Sequence, residues 1–311
     1  LLQANPLLEA LGNARTLRND NSSRFGKFVQ AHFSRHGAIV GGAVRTYLLE
    51  KSRGVAQGAG ERNYHIFYAL LGGVGKAERE RLQLLPSAKY GCLQHGTTAD
   101  PTPLAPTLQA LACVGVGPAH AAQLLRLLAA LLHLSNITFT PRADVAEGSH
   151  VADGSGTAAL GRACHLLRCA PAAMAAALTS RALEAAGEKI TVGLTPAAAA
   201  QARDAISRAI YSRVFNHVVR CVNRSLGDSH GRRLRDSPSR MGRGDMTART
   251  MEADEEEAAA AAAEAAEAEA EAEGVAAGAD AEAEALARLA AEASAGSDYW
   301  SDAPVDMMPS P

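Results

Sequence analysis

The sequence predicts a mixed α/β fold, mainly helical with a few strands. Two alternating apolar runs, over residues 25–33 and 39–47, flank a turn candidate at Arg35-His36-Gly37. Two longer apolar-periodic segments follow, one over 119–134 and one opened by Thr195-Pro196. Side chains that alternate every second residue argue strand, and repeats at three and four residues argue helix. Beyond Glu252 the chain turns into Ala/Glu repeats with almost no apolar stripe. That composition suits a disordered tail or a solvated single helix, not a packed layer.

Taken in order, residues 1 to 14 read as the end of a helix. Phe25, Phe28 and His32 on one side, with Val29, Ala31 and Phe33 between them, suit a half-buried strand, and 39–47 a second strand entered by glycines that let backbones approach closely. Aromatic and aliphatic residues from Glu61 to Leu71 are spaced as a helix, which Gly72-Gly73 would end. Leu124, Leu127, Leu128, Leu131, Leu132 and Leu134 make 119–134 a buried helix. Residues 140–156 are polar and Gly-containing and read as a loop; 157–168 and 170–177 read as two short helices. Thr195 is a good N-cap and Pro196 suits the first helical position. Ile206, Ile210, Val214, Val218 and Val222 then recur every fourth residue, with Arg203, Arg208, Arg213, Arg220 and Arg224 on the other surface. This is an amphipathic helix of about seven or eight turns.

A chain of 311 residues can hold one large domain or two small ones. Of its residues 47% are hydrophobic but only 4% aromatic, so alanine supplies much of the apolar count and buries little area per residue. The net charge of −2 conceals a basic stretch over 232–249 and an acidic one over 252–292, so it says little about partners. The five cysteines form no Cys-x-x-Cys pair, which fits a reduced compartment better than a disulfide framework. Cys164, His165 and Cys169 lie close together, but not at the spacing of a zinc site. No run is long and apolar enough to span a membrane and no signal peptide is visible. The chain opens at Leu1-Leu2-Gln3-Ala4 without Met, which reads as a fragment or an incomplete gene model.

The most informative stretch is Asn19-Asp20-Asn21-Ser22-Ser23-Arg24-Phe25-Gly26-Lys27. Short hydroxyl and amide side chains beside one arginine are what a loop needs to wrap a phosphate and a metal ion. Serine hydroxyls can ligate Mg²⁺, asparagine amides can donate to phosphate oxygens, and arginine can pair with a carboxylate. Asn5-Pro6-Leu7-Leu8-Glu9-Ala10-Leu11-Gly12-Asn13-Ala14 precedes it; Tyr47-Leu48-Leu49-Glu50-Lys51-Ser52-Arg53 and Glu61-Arg62-Asn63-Tyr64-His65-Ile66-Phe67-Tyr68 follow.

These blocks, in this order and spacing, resemble the myosin motor domain around its switch I. Kinesins share a Ser-Ser-Arg switch I, but Ser-His normally follows it there, whereas Phe-Gly-Lys follows here. His133-Leu134-Ser135-Asn136-Ile137 resembles the turn that closes a buried myosin helix. Tyr211-Ser212-Arg213-Val214-Phe215-Asn216 and Val222-Asn223-Arg224-Ser225-Leu226 resemble the long helix that leads towards switch II. The resemblance ends after Gly227.

It implies a partial P-loop motor fold with a few strands of an incomplete central sheet over 1–227, including most of the upper actin-binding subdomain. A basic disordered linker over 228–251 and an acidic Ala/Glu-rich tail over 252–311 would follow. It implies ATP and Mg²⁺ as cofactors, with Asn19 contacting phosphate and Asn21 shaping the loop. Ser22 would touch the γ-phosphate and the attacking water, and Ser23 would complete the Mg²⁺ shell. Arg24 would close the site through a salt bridge to a switch II glutamate. A loop before the long helix, including Glu184, Glu188 and Lys189, would contact actin. The implied whole is an actin-activated ATPase in the cytoplasm and cytoskeleton. Its partners would be ATP and the actin filament, not nucleic acid, with light chains bound only through regions downstream. The alternative is a non-catalytic, truncated myosin-like interaction protein or an incomplete gene model.

No Gly-x-x-x-x-Gly-Lys-Ser/Thr segment and no Asp-Ile-x-Gly-Phe-Glu segment occurs in the sequence. The first would cradle the phosphates, and the second would sense the γ-phosphate. The 311-residue chain by itself is therefore expected neither to bind ATP tightly nor to turn it over, and Arg24 is expected to lack its partner. The Arg243-Gly244-Asp245 tripeptide is too common by chance to carry a function.

Overall fold

The computed structural model describes residues 4–93, 103–143, 148–185 and 188–234. Thr195 and Pro196 begin its longest element as the sequence predicts. The Thr195 hydroxyl accepts a hydrogen bond from the Ala198 N–H at 3.3 Å, and proline's fixed φ suits a position where no N–H is needed. The resulting helix, α8, runs Pro196–Leu234. Its fourfold repeat is the buried stripe: Ile206, Val214, Val218 and Val222 are in the core and Ile210 packs against it. Gly227 does not end the helix, because a glycine inside a long helix costs only about 1 kcal/mol. The helix thus extends into the segment read as the start of the basic linker. The rest of that linker, and the tail over 252–311, lie outside the described residues.

Among the described residues shorter helices accompany α8. They are α1 (Asn5–Gly12), α2 (His65–Gly73), α3 (Lys76–Arg81), α4 (Ala105–Cys113), α5 (Pro118–Leu134), α6 (Ser155–Leu167) and α7 (Pro171–Thr179). Of these, α1, α5 and α7 pack directly against α8. One continuous core joins Leu7, Leu8 and Leu11 of α1, Phe67 and Leu70 of α2, Leu128 and Leu132 of α5, and Phe215 of α8. Helix α2 starts later than the apolar spacing suggests. Asn63 donates through its amide to the carbonyls of Gly54 and Cys92, both at 3.1 Å, and Tyr64 forms a β-bridge with Ala14. These tertiary bonds hold the backbone before His65 out of the helix.

Among the described residues the strands form four separate two-stranded antiparallel ladders. They are β1 (Asn13–Ala14) with β2 (Ser22–Ser23), β3 (Gly26–Phe33) with β4 (Ile39–Tyr47), β5 (Phe139–Pro141) with β6 (Ser149–Val151), and β7 (Ser180–Ala185) with β8 (Glu188–Gly193). The β5–β6 ladder lies partly within the segment expected as a loop over 140–156. Three residues a side are too few for alternation to register in sequence, and Val151 is anchored in the core.

The β3–β4 hairpin corrects the expectation of a half-buried first strand. Phe28 is 52% exposed, Val29 44% and Phe33 61%, and only Phe25, just ahead of β3, is buried. In β4, Gly42 and Val44 are buried. One side of the hairpin has a partner, α8, and among the described residues no third strand pairs with either edge. A two-stranded ribbon with open edges and bare aromatic residues is prone to edge pairing. The isolated chain is expected to self-associate at micromolar concentration. A single monomer-sized species by light scattering would contradict this.

One side chain of α8 hydrogen-bonds the backbone of β4. The Asn223 amide donates to the Val44 carbonyl at 2.8 Å and accepts from the Val44 N–H at 2.7 Å. It thereby takes the place of a neighbouring strand at that residue. Asn223→Ala removes both bonds and is expected to lower stability by about 1–2 kcal/mol. Urea unfolding should show a lower midpoint with an unchanged slope.

Candidate functional site

A polar loop lies between β1 and β2, and its conformation follows from its own side chains. The Asn19 Oδ1 accepts from the Asn21 N–H at 2.8 Å, an Asx turn. The Thr16 N–H and hydroxyl both donate to the Asn19 carbonyl, and Arg15 pairs with Asp20 at 2.9 Å. The ladder that closes the loop sets Asn13 opposite Ser23 and Ala14 opposite Ser22. Arg24 continues it by donating its N–H to the Gly12 carbonyl at 2.8 Å.

The five residues singled out by sequence, Asn19, Asn21, Ser22, Ser23 and Arg24, are thus gathered at one small hairpin, in two hydrogen-bonded sets. In the first set, Ser23 Oγ donates to Asn13 Oδ1 at 3.0 Å, and Asn13 Nδ2 donates to Asn21 Oδ1 at 3.1 Å. Asn21 also donates to Glu9 at 3.4 Å, and its Oδ1 lies 3.1 Å from the His65 imidazole. Burial, helped by the nearby Arg62 charge, lowers the His65 pKa and favours the neutral ring. In the second set, Arg24 Nη1 donates to Ser22 Oγ at 3.2 Å and Arg24 Nε donates to Glu50 Oε2 at 2.6 Å.

The second bond overturns the expectation that Arg24 has no partner. Glu50 is shared. Arg53 donates to it through Nε at 2.7 Å, and Arg53 also pairs with Glu61 at 2.9 Å. Burial by itself would raise the Glu50 pKa, but hydrogen bonds from Arg53 and Arg24 outweigh it and hold the carboxyl below its ordinary value. Arg53 is 3% exposed and also donates to the Arg62 carbonyl at 3.1 Å. Residues Lys51–Gly54 form a 3₁₀ turn that brings this arginine back beneath Glu50. Sequence spacing cannot show that a carboxylate 26 residues along the chain would take the arginine.

Asn13 is the other residue that sequence reasoning passed over, although it stands in one of the family blocks. It is 6% exposed and bridges Asn21 to Ser23. Because Ser23 gives its only hydroxyl proton to Asn13, its oxygen lone pairs are left for an acceptor role. Ser23 is itself exposed. A hard oxygen donor of this kind fits Mg²⁺, though it fills one position of an octahedral shell and needs phosphate and water oxygens for the rest.

Aromatic packing fixes the hairpin against the core. Phe25, directly after Arg24, meets Phe215 edge-on with ring centres 5.1 Å apart. Tyr211 stacks between Tyr64 and Phe67, at 4.8 and 5.6 Å, and donates its hydroxyl to the Leu11 carbonyl at 2.5 Å. Gly12 leaves room for Phe25; a Cβ there would lie 2.3 Å from its ring.

The positions read as an actin contact lie elsewhere, on the β7–β8 hairpin that precedes α8. There Glu184 is paired with Lys189 and Ala185 with Glu188. No helix among the described residues is long and apolar enough to cross a membrane.

Comparison with known proteins gives one consistent result. The family model "Myosin head (motor domain)" matches residues 1–237, ten residues beyond the point where the sequence resemblance was expected to stop. The chain is 41% identical over 233 residues to "Unconventional myosin heavy chain 6" of Caenorhabditis elegans, covering 73% of this chain and 11% of that protein. It is 38% identical over 234 residues to "Myosin IE heavy chain" of Dictyostelium discoideum, covering 72% of this chain and 23% of that one. Against "Unconventional myosin-Ic" of Rattus norvegicus it is 41% identical over 246 residues, covering 77% and 23%. The chain thus spans less than a quarter of the length of these relatives. With the ordered blocks, the polar hairpin and the long helix behind it all accounted for, the chain belongs to the myosin head (motor domain) family.

Proposed function

We propose that this chain is the switch I portion, with part of the upper actin-binding subdomain, of an actin-based motor whose complete protein hydrolyses Mg·ATP. The observation that carries this reading is the hairpin itself. Ser22, Ser23 and Arg24 are presented together, on a backbone tied by Asn13 and Asn19 and braced by Phe25 against α8. Preorganised donors and acceptors are what charge stabilisation during phosphoryl transfer requires.

In this reading Mg²⁺ is held in part by Ser23 and neutralises charge on the phosphates. Ser22 donates to the γ-phosphate side and positions water, and Asn19 offers its amide N–H₂ to phosphate. Asn13 acts as a positioning residue by holding Ser23 in one orientation. Arg24 has two carboxylates open to it: Glu50, which it meets here, and a glutamate of a switch II segment in the complete motor. Exchange between them would open and close the site. Glu184, Glu188 and Lys189, on the β7–β8 hairpin, contribute to the filament contact.

The 311-residue chain has neither phosphate cradle nor switch II sequence. It is expected to show no Mg·ATPase activity above buffer, while the complete motor shows actin-activated turnover. In the complete motor, Arg24→Ala is expected to lower kcat by at least about a hundredfold, the scale of losing one charge-stabilising group. Turnover by the chain alone that vanishes in Arg24→Ala would refute the first expectation. An Arg24→Ala motor with ordinary kcat would refute the role of the hairpin.

A further inference from the structure

Helix α6 ends in a cap that brings two cysteines together. Arg168 is left-handed, with φ of 59°, although it is not glycine. Its N–H donates to the His165 carbonyl at 3.4 Å, and the Cys169 N–H donates to the Cys164 carbonyl at 3.1 Å. This is the paired bonding of a Schellman motif, whose two outer residues characteristically touch through their side chains. Here those residues are Cys164, 1% exposed, and Cys169, half-buried. Each thiol shifts the ionisation of the other. Neither belongs to the nucleotide hairpin or to the β7–β8 hairpin.

We propose that Cys164 and Cys169 are a reversible oxidation site, in which a hydroperoxide converts the two thiols into a disulfide across the α6 cap. The Cys169 thiolate attacks the nearer peroxide oxygen, the O–O bond breaks, and hydroxide or alkoxide leaves; the sulfur becomes a sulfenic acid. Cys164 sulfur then attacks Cys169 sulfur, the S–O bond breaks, and water leaves with the Cys164 proton. Two thiols lose two electrons and the peroxide oxygens gain them. A dithiol reverses the reaction by exchange.

The assignment of attacking and resolving cysteine follows from the environment. The neighbouring Cys164 thiol lowers the Cys169 pKa to about 7 against an opposing effect of burial. The neighbouring Cys169 thiol, together with burial, raises the Cys164 pKa. The more exposed sulfur is therefore also the better thiolate. The pair stands at the two ends of a six-residue turn closed by the Cys169 N–H to Cys164 carbonyl bond, so closure needs side-chain rotation and no change of helix register. The bond would tie the end of α6 to the chain entering α7, which leads directly into β7.

The full chain treated with hydrogen peroxide, alkylated with iodoacetamide and digested with trypsin tests this. Trypsin cuts after Arg168 and separates the two cysteines unless a disulfide joins them. The expected product is one cross-linked pair of peptides, lighter by two hydrogen atoms and released by dithiothreitol, with exposed Cys113 still alkylated. In Cys164→Ser, Cys169 should stop at the sulfenic acid and be captured by dimedone. In Cys169→Ser, where the change is at the half-buried position, Cys164 should stay reduced. Equal alkylation of Cys169 before and after peroxide, or a cross-link to any other cysteine, would overturn the proposal. So would an undiminished loss of Cys164 alkylation in Cys169→Ser.

Discussion

Tyr211→Ala is expected to lower the stability of the motor portion by about 3–5 kcal/mol, the range for truncating a large buried aromatic. Tyr211 is 1% exposed and lies between Tyr64 and Phe67, so its loss opens a cavity at the junction of α8, α2 and the Lys51–Gly54 turn. It also strips the Leu11 carbonyl of its donor just where α1 turns into the polar hairpin. Tyr211→Phe separates the two effects. It keeps the ring and removes only the hydroxyl, and should cost about 1–3 kcal/mol for the buried carbonyl left behind. Urea midpoints of the two variants measure both. A Tyr211→Ala midpoint indistinguishable from Tyr211→Phe would show that the stack contributes nothing. Since domains carry only about 5–15 kcal/mol in total, the alanine variant should be close to unfolding at room temperature.

The second large effect is expected at Arg53. Its guanidinium is 4% exposed on the side chain and satisfies Glu50, Glu61 and the Arg62 carbonyl together. Arg53→Met keeps the volume but leaves two carboxylates facing each other. Removing one partner of a buried pair costs about 3–5 kcal/mol, and the lower end applies here because both carboxylates reach some water. The variant should also change how stability depends on pH. Folded Glu50 titrates below its ordinary value of 4.5, so it contributes stability above pH 4.5 that is lost as pH falls through its lower folded value. In Arg53→Met that shift should shrink, because only Arg24 still holds the carboxylate. Acid unfolding should then begin at higher pH than in the unaltered protein. An unchanged acid midpoint would mean that Arg24 by itself sets the Glu50 pKa.

Several elements were legible in the sequence because their causes are local. The N-cap at Thr195, the fourfold repeat of α8 and the leucine stripe of α5 depend on spacing within one element, and spacing is what sequence displays. The candidate hairpin was legible for a different reason. Its residue types were recognisable, and their order among the flanking blocks was specific. What those residues touch was not. Glu50 reaches Arg24 because the chain doubles back after β4, and Asn13 reaches Ser23 because β1 and β2 pair. Both contacts depend on register between distant segments. The exposed face of β3 failed the alternation reading for a related reason. Alternation shows that a strand has an apolar face, and only neighbouring elements decide whether anything covers it.

By itself, then, the sequence determined the family, the helices α5 and α8, the strands 26–33 and 39–47, and which polar side chains gather after Asn19. The tertiary structure decided that Arg24 pairs with Glu50, that Asn13 holds Ser23, that Asn223 joins α8 to β4 and that α8 runs past Gly227. The division has one physical cause. Helical and strand periodicity is stored in neighbouring residues, whereas a buried ion pair or an amide bridge is a meeting of two segments, each of which alone would be satisfied by water.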